Sequence, residues 1–185
     1  NRGEDDPTLI MRLSDGALVP GNATIDAAER ARRIARFHAP YHAPITAPVD
    51  QALAGGHPPA ILSMHSFTPV WRGYRRPWHI GVLWHRDGRV AKPLMERLAR
   101  EGDVVVGDNE PYMGELENDT LYRHGKMNGV PHVLIEVRQD LISDDVGVAS
   151  WAALMPKEDP RKQGSTTCMR RESNHACSAR VATAC

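Results

Sequence analysis

Two apolar runs in this chain each carry a polar group that could do chemistry. AILSMHSFTP, Ala60 to Pro69, delivers His65 and Ser66, and HVLIEVRQDL, His132 to Leu141, delivers Glu136 and Arg138. An imidazole at the end of a buried strand can serve as a metal ligand or a base in an α/β cleft. It can equally be a histidine bonded to a neighbouring carbonyl. A carboxylate among Val133, Leu134, Ile135 and Val137 is costly to bury alone. Glu136 therefore reads either as an ion pair with Arg138 or another arginine, or as a general base whose pKa is set by burial and a nearby metal. Ser66 has no G-x-S-x-G elbow around it, which argues against a serine hydrolase.

Other residues offer weaker chemistry. Asp108, Asn109, Glu110, Pro111 and Tyr112 follow an apolar run, where polar clusters often line ligand sites. Tyr112 could donate to a developing oxyanion, or the segment could be a turn made by Asn and Pro. His38 and His42 are four apart, a one-face spacing on a helix, but Pro40 between them argues against that geometry. His79, His85 and His124 read as surface or core residues, and no H-E-x-x-H motif is present. Arg72, Arg75 and Arg76, interleaved with Trp71, Tyr74 and Trp78, could contact an anion. The reading preferred here is a solvated loop with snorkelling arginines.

The elements that must position these groups follow from periodicity and punctuation. Residues Asn1 to Asn22 read as loop, with a turn at LSDG. A helix starts with Thr24 or Asp26 as N-cap and Glu29 in its first turns. Pro40 should break it, and a second helical segment runs from about Tyr41 to Ala54, ending at Gly55-Gly56. Strands are expected at ILSMHSF, HIGVLWH (His79 to His85), DVVVGDN and HVLIEVR. Helices are expected at VAKPLMERLAREG, around Thr120 to His124, and at QDLISDDVGVASWAALM. Near-continuous apolar strands suit a sheet covered on both faces. The class is α/β, with a mixed, mostly parallel sheet flanked by helices.

Composition bounds the partners. Formal net charge is zero, so nothing suggests nucleic acid or a membrane surface. No run approaches the ~20 apolar residues of a membrane span, and no signal peptide is seen. The cysteines Cys168, Cys177 and Cys185 all lie near the end of the chain. A reducing cytoplasm is the simplest compartment. Residues 1–155 read as one domain. The segment 156–185 lacks apolar periodicity and is expected to be disordered or loosely attached. Cys168, His175, Cys177 and Cys185 match no zinc spacing.

In order along the chain, the N-R pair Asn1-Arg2, then DDPTLI, YHAPI, LSMHSFTP, GDNEPYMG, TLYRHG and HVLIEVRQDLI resemble the N-formylglutamate amidohydrolase family. The resemblance runs from Asn1 to about Met155. It implies a likeness to the zinc carboxypeptidases, hence an α/β/α sandwich around a mixed sheet. It implies zinc, with His65 as a ligand and Glu136 as the catalytic glutamate. Arg138, Asn1 and Arg2 would hold substrate carboxylates, and Ser66, Asn109 and Tyr112 would be further substrate contacts. Zinc would bring the pKa of its bound water toward ~7. Glu136 would take that water's proton as it attacks the formyl carbon and hand one to the leaving amine. The products would be formate and glutamate.

In the family the first two zinc ligands, a His and an acidic residue, lie upstream of the N-R pair. The chain is therefore expected to be incomplete at its N-terminus, with His65 as its one ligand. Two other readings stand beside the hydrolase: a catalytically inactive α/β module binding an anionic small molecule, and a metallopeptidase or deacylase of the same architecture. The partner expected is a small-molecule substrate. The sequence carries no signal for oligomeric state.

Overall fold

The computed structural model describes residues 2–14, 16–114, 116–155 and 178–183. Strands β1 (Leu13–Ser14) and β2 (Ala17–Leu18) form a small hairpin at the expected LSDG turn. Helix α1 (Ala27–Arg33) starts where capping chemistry placed it, with the Asp26 carboxylate accepting from Glu29 N at 2.8 Å. Pro40 does not break the chain into two helices. A π-helical turn, Ile34–His38, carries α1 directly into α2 (Ala39–Ala54), and Ala39 N reaches back to Ile34 O. The wider turn accommodates the proline ring and its missing donor, a known use of π-bulges. Pro40 itself sits in the first turn of α2, where no intrahelical donor is needed.

Strand β3 (Pro59–Phe67) leads into the hairpin β4 (Val70–Trp71) and β5 (Tyr74–Arg75). Its turn residues Arg72 and Gly73 have φ of 49° and 81°, the positive values a tight type I′ turn requires. The segment read as a plain loop is thus a hairpin. Then follow β6 (Ile80–Leu83), α3 (Ala91–Leu98), β7 (Val106–Asp108), α4 (Thr120–His124), β8 (His132–Arg138), α5 (Asp145–Leu154) and β9 (Ser178–Thr183).

The main sheet has the order β7-β6-β8-β3-β9. β3 and β8 are parallel, as are β6 and β7. The β6–β8 and β3–β9 junctions are antiparallel. The sheet is therefore mixed and flanked by helices, as expected. Ile45, Val49 and Leu121, from α2 and α4, pack with Ile61, Leu83 and Leu134 on one face. Ala91, Leu94 and Leu98 of α3 pack with Ile80, Val82, Val133 and Ile135 on the other, joined by Trp151 and Leu154 of α5. Truncating a fully buried residue such as Ile135 to Ala costs about 2–5 kcal/mol. β9 pairs along the edge of β3, where an unpaired row of N–H and C=O groups invites a strand. The segment expected to stay unpacked thus contributes this strand to the sheet. The rest of 156–185 lies outside the described residues, as does the whole Cys168, His175, Cys177, Cys185 set.

Candidate active site

The parallel register of β3 and β8 sets His65 directly opposite Glu136. Side chains alternate along a strand, so Ile61, Ser63, His65 and Phe67 share one face with Leu134, Glu136 and Arg138. The row continues across the sheet, because Gly81 pairs with Glu136 and Gly107 pairs with Gly81. The two glycines leave a gap beside the carboxylate, and the backbone of Glu110 fills it. A Cβ at Gly81 would collide with the Glu110 carbonyl oxygen, and one at Gly107 would lie 2.8 Å from Glu110 Cβ. The loop after β7 thus walls the site because these positions lack side chains.

His65 Nδ1 lies 3.9 Å from Glu136 Oε1, and His65 Nε2 lies 3.0 Å from Ser63 Oγ. Glu136 is only 6% exposed, and its Oε2 is buried with no hydrogen-bond partner among the described residues. Burial pushes the Glu136 carboxyl up to about 7, although the Arg76 guanidinium pulls the other way. Burial also pushes the His65 imidazole down to about 4. At neutral pH the pair is a neutral imidazole beside a carboxyl near its midpoint, not a salt bridge. A partly ionised, under-satisfied carboxyl facing a neutral ring is suited to moving a proton.

Arg76 joins this site. It was read as a solvated arginine, yet it is only 5% exposed. Its guanidinium carbon lies 5.6 Å from the Phe67 and Trp71 ring centres and 5.2 Å from that of Tyr112. Desolvation by three rings is offset by the attraction of a cation for their faces. The cue was present in the sequence as arginines interleaved with aromatics.

The other expected site residues lie in varied surroundings. Tyr112 is exposed and contributes its ring to Arg76. The Asn109 side chain accepts from Trp84 N at 2.9 Å, which ties the loop to β6. Arg138 donates to Asp140 at 2.7 Å and to the Trp78 carbonyl at 3.2 Å, so it pairs with Asp140 and not with Glu136. Ser66 points to the opposite face from His65 and is exposed. Arg2 pairs with Asp6 at 3.5 Å. Asn1 lies outside the described residues.

A second cluster joins three histidines that sequence reasoning takes one by one and not as a group. His42 Nδ1 lies 2.8 Å from His124 Nε2, and His42 Nε2 lies 3.1 Å from His38 Nε2. The continuous helix therefore does put His38 and His42 on one face, against the expectation from Pro40. His38 Nε2 also lies 2.9 Å from the Arg2 carbonyl oxygen. Carbonyl oxygen only accepts, so His38 Nε2 carries the proton. His42 Nε2 must then accept, and His42 Nδ1 donates to His124. One ordered set of protons links the three rings, and His38 Nδ1 is buried with no hydrogen-bond partner among the described residues. Burial, with neighbouring His38, His124 and Arg123 adding to it, pushes His42 down to about 3. Burial and then Arg123 push His124 down to about 4.

A protein zinc site takes at least three protein ligands. The described residues contain no group of three His, Cys, Asp or Glu arranged to hold a metal. Among the described residues His65 is the one imidazole paired with Glu136, and both ring nitrogens of His42 are taken by its neighbours. From the resemblance His65 is the one zinc ligand expected within this chain, and among the described residues no set of three donors surrounds it. Also among the described residues, no helix is long and apolar enough to cross a membrane.

Comparison with known proteins bears on what such a site belongs to. Residues 1–143 match the family model FGase, N-formylglutamate amidohydrolase. A gene product of Agrobacterium tumefaciens with a known crystal structure is 31% identical, with a TM-score of 0.76 over 82% of this chain and 60% of that one. The N-formylglutamate amidohydrolase from Ralstonia eutropha JMP134 is 24% identical, with a TM-score of 0.48 over 69% of this chain and 49% of that one. This second likeness is too slight to add to the argument. The chain thus spans 60% and 49% of the lengths of these two proteins. No curated protein matches it.

Proposed function

The chain belongs to the N-formylglutamate amidohydrolase family, and on that premise we propose that its site hydrolyses the formyl amide of N-formyl-L-glutamate or a related N-acyl amino acid. One observation carries the reading. A buried carboxyl pushed up to about 7 stands 3.9 Å from a neutral imidazole, with one oxygen unsatisfied.

In this reading the ionised form of Glu136 takes a proton from the attacking water. The same carboxyl then returns a proton to the leaving amine, a reversal that a pKa near the working pH favours. His65, held by Ser63, stays neutral and offers no positive charge that would pin the carboxylate in its ionised form. The Glu110 backbone over Gly81 and Gly107 keeps water off one side, which sustains the raised pKa. Formate and the free amino acid leave. No step is routed through zinc, because the described donors do not hold one. The expected localisation in the cytoplasm stays part of this reading.

Formate release from N-formyl-L-glutamate tests it. General base loss costs about 100- to 10,000-fold, so Glu136→Gln should release formate at least ~100-fold more slowly than the wild type. A wild-type protein that releases none, or a variant that keeps pace, contradicts the reading. The buried guanidinium of Arg76 near Glu136 favours a second reading, an anion-binding module without turnover. That reading predicts ligand binding with no formate from either protein.

A further inference from the structure

The histidine chain begins at a nitrogen that its proton order leaves empty. His38 is only 9% exposed. Its Nε2–H donates to the Arg2 carbonyl oxygen at 2.9 Å and faces His42 Nε2 at 3.1 Å. In the neutral ring Nδ1 is therefore a bare acceptor. That Nδ1 is buried with no hydrogen-bond partner among the described residues. What it faces is another acceptor, the Glu4 carboxylate, with Oε1 3.5 Å away. Two acceptors turned toward each other across a buried gap are unfavourable. One proton between them turns the contact into a charge-assisted hydrogen bond.

The surroundings direct a proton to that nitrogen. The charged and titratable groups around His38 are Glu4 from residues 2–6, His42 on α2, His124 and Arg123 on α4, and Arg30 on α1. Burial, with its neighbours adding to it, pushes His42 down to about 3, and burial pushes His124 down to about 4. Neither ring competes for a proton near neutral pH. Arg123 Nη1 lies 3.9 Å from the same Glu4 oxygen, and Arg30 donates to the Glu4 carbonyl oxygen. The Glu4 carboxylate thus bridges His38 and Arg123 and offsets their repulsion once His38 is charged. The same short segment is wedged against the loop after β7. Gly3 is buried, and a Cβ there would lie 2.5 Å from Asn118 Cβ. Asn118 ends the loop whose Glu110 backbone walls Glu136, just before the Asp119 cap of α4. Residues 2–6 therefore run as a strap between α2 and that loop.

We propose that His38 and Glu4 form a proton-operated latch, in which a proton taken at His38 Nδ1 is donated to the Glu4 carboxylate and fastens residues 2–6 across α2 and the end of the loop after β7. The new bond exists only in the charged ring. The strap is therefore fastened in mild acid and loosens as pH rises, across the interval of about pH 5 to 8 in which an imidazole changes charge. The latch does not rest on the hydrolase reading. It sets how firmly the loop is held, whatever the site turns over.

Amide hydrogen exchange followed by NMR tests the latch at two hydrogen bonds. Asp6 N–H donates to Gly3 O within the strap, and Asp119 N–H donates to Leu116 O at the end of the loop. The Glu4 side chain is 49% exposed, so Glu4→Gln is safe for folding. Comparing that variant with the wild type at one pH cancels the other titrating groups. At about pH 5.5 the variant should exchange at least ~3-fold faster at Asp6 and ~2-fold faster at Asp119, the value of an ion pair with one exposed partner. At about pH 8 the two proteins should agree within about 1.5-fold. In a His38→Gln background, which keeps a donor for the Arg2 carbonyl, the effect of Glu4→Gln should be the same at both pH values. Equal exchange of wild type and Glu4→Gln in acid, an effect as large in alkali, or one that stays pH-dependent without His38 overturns the latch. A response at Asp6 with none at Asp119 overturns its hold on the loop. The comparison of Glu4→Gln at two pH values decides the matter even if His38→Gln does not fold.

Discussion

The sheet face that carries Glu136 is shared by two clusters of titratable groups, and they differ in what their hydrogen-bonding capacity is used for. In the His38–His42–His124 chain, ring nitrogens meet at 2.8 and 3.1 Å in a single proton order, and His38 Nδ1 is left without a hydrogen-bond partner among the described residues, 3.5 Å from the Glu4 carboxylate. Both ring nitrogens of His42, at the centre of the chain, are taken by its neighbours. At the strand ends, His65 and Glu136 stand 3.9 Å apart and Glu136 Oε2 has no partner among the described residues. Both clusters are buried and both have shifted pKa values. What separates a structural cluster from a candidate catalytic one here is a carboxyl held near its midpoint beside a neutral imidazole, not perturbation alone.

The largest expected contrast is in rate. Glu136→Gln should slow formate release at least ~100-fold, while His42→Gln, which keeps a donor and an acceptor, should change it less than about 2-fold. Equal losses from the two substitutions would erase the distinction between the clusters.

Stability against pH should separate them in sign. His42 and His124 have folded-state pKa values of about 3 and about 4, below the ~6.5 of an unfolded histidine. The unfolded chain binds more protons in that interval, so the stability they contribute is complete above pH 6.5 and is lost as pH falls toward 4. Thermal melts should show a loss of at least ~3 kcal/mol across that window, and His42→Gln should flatten it. Glu136 works the other way. Its folded value of about 7 lies above the ~4.5 of an exposed carboxyl, so its cost is absent below pH 4.5 and grows as pH rises through 7. Glu136→Gln should therefore stabilise the protein by about 2–3 kcal/mol at pH 8 and by nothing near pH 4.5. A variant equally stable at both values would show that the carboxyl is not strained by burial.

The smallest effect concerns the wall of the site. Asn109 has φ of 54° and holds Trp84 N. Asn109→Ala should cost about 1–2 kcal/mol and loosen the loop bearing Tyr112. An unchanged melting temperature would mean the loop is held by other contacts.

Sequence patterns carried much of this. The boundaries of β8 followed from an apolar run and the start of α1 from the Thr24 or Asp26 cap, and His65 and Glu136 were legible as polar residues breaking apolar runs. Their shared face was not, because register between strands far apart in sequence depends on how the sheet assembles. The histidine chain was hidden by Pro40, whose effect on a helix depends on whether a π-turn forms around it. Arg76 was misread because local composition cannot show that Phe67, Trp71 and Tyr112 close over it. Gly81 and Gly107 gave no signal, since their meaning comes from the Glu110 backbone that rests on them.

The central claim is that burial holds the Glu136 carboxyl near its midpoint at neutral pH, with one oxygen lacking a hydrogen-bond partner among the described residues. A carbon-detected NMR titration of that carboxyl measures this directly, with Glu136→Gln identifying its resonance. The account predicts a midpoint near 7. A midpoint at the ordinary carboxyl value of about 4.5 would contradict it.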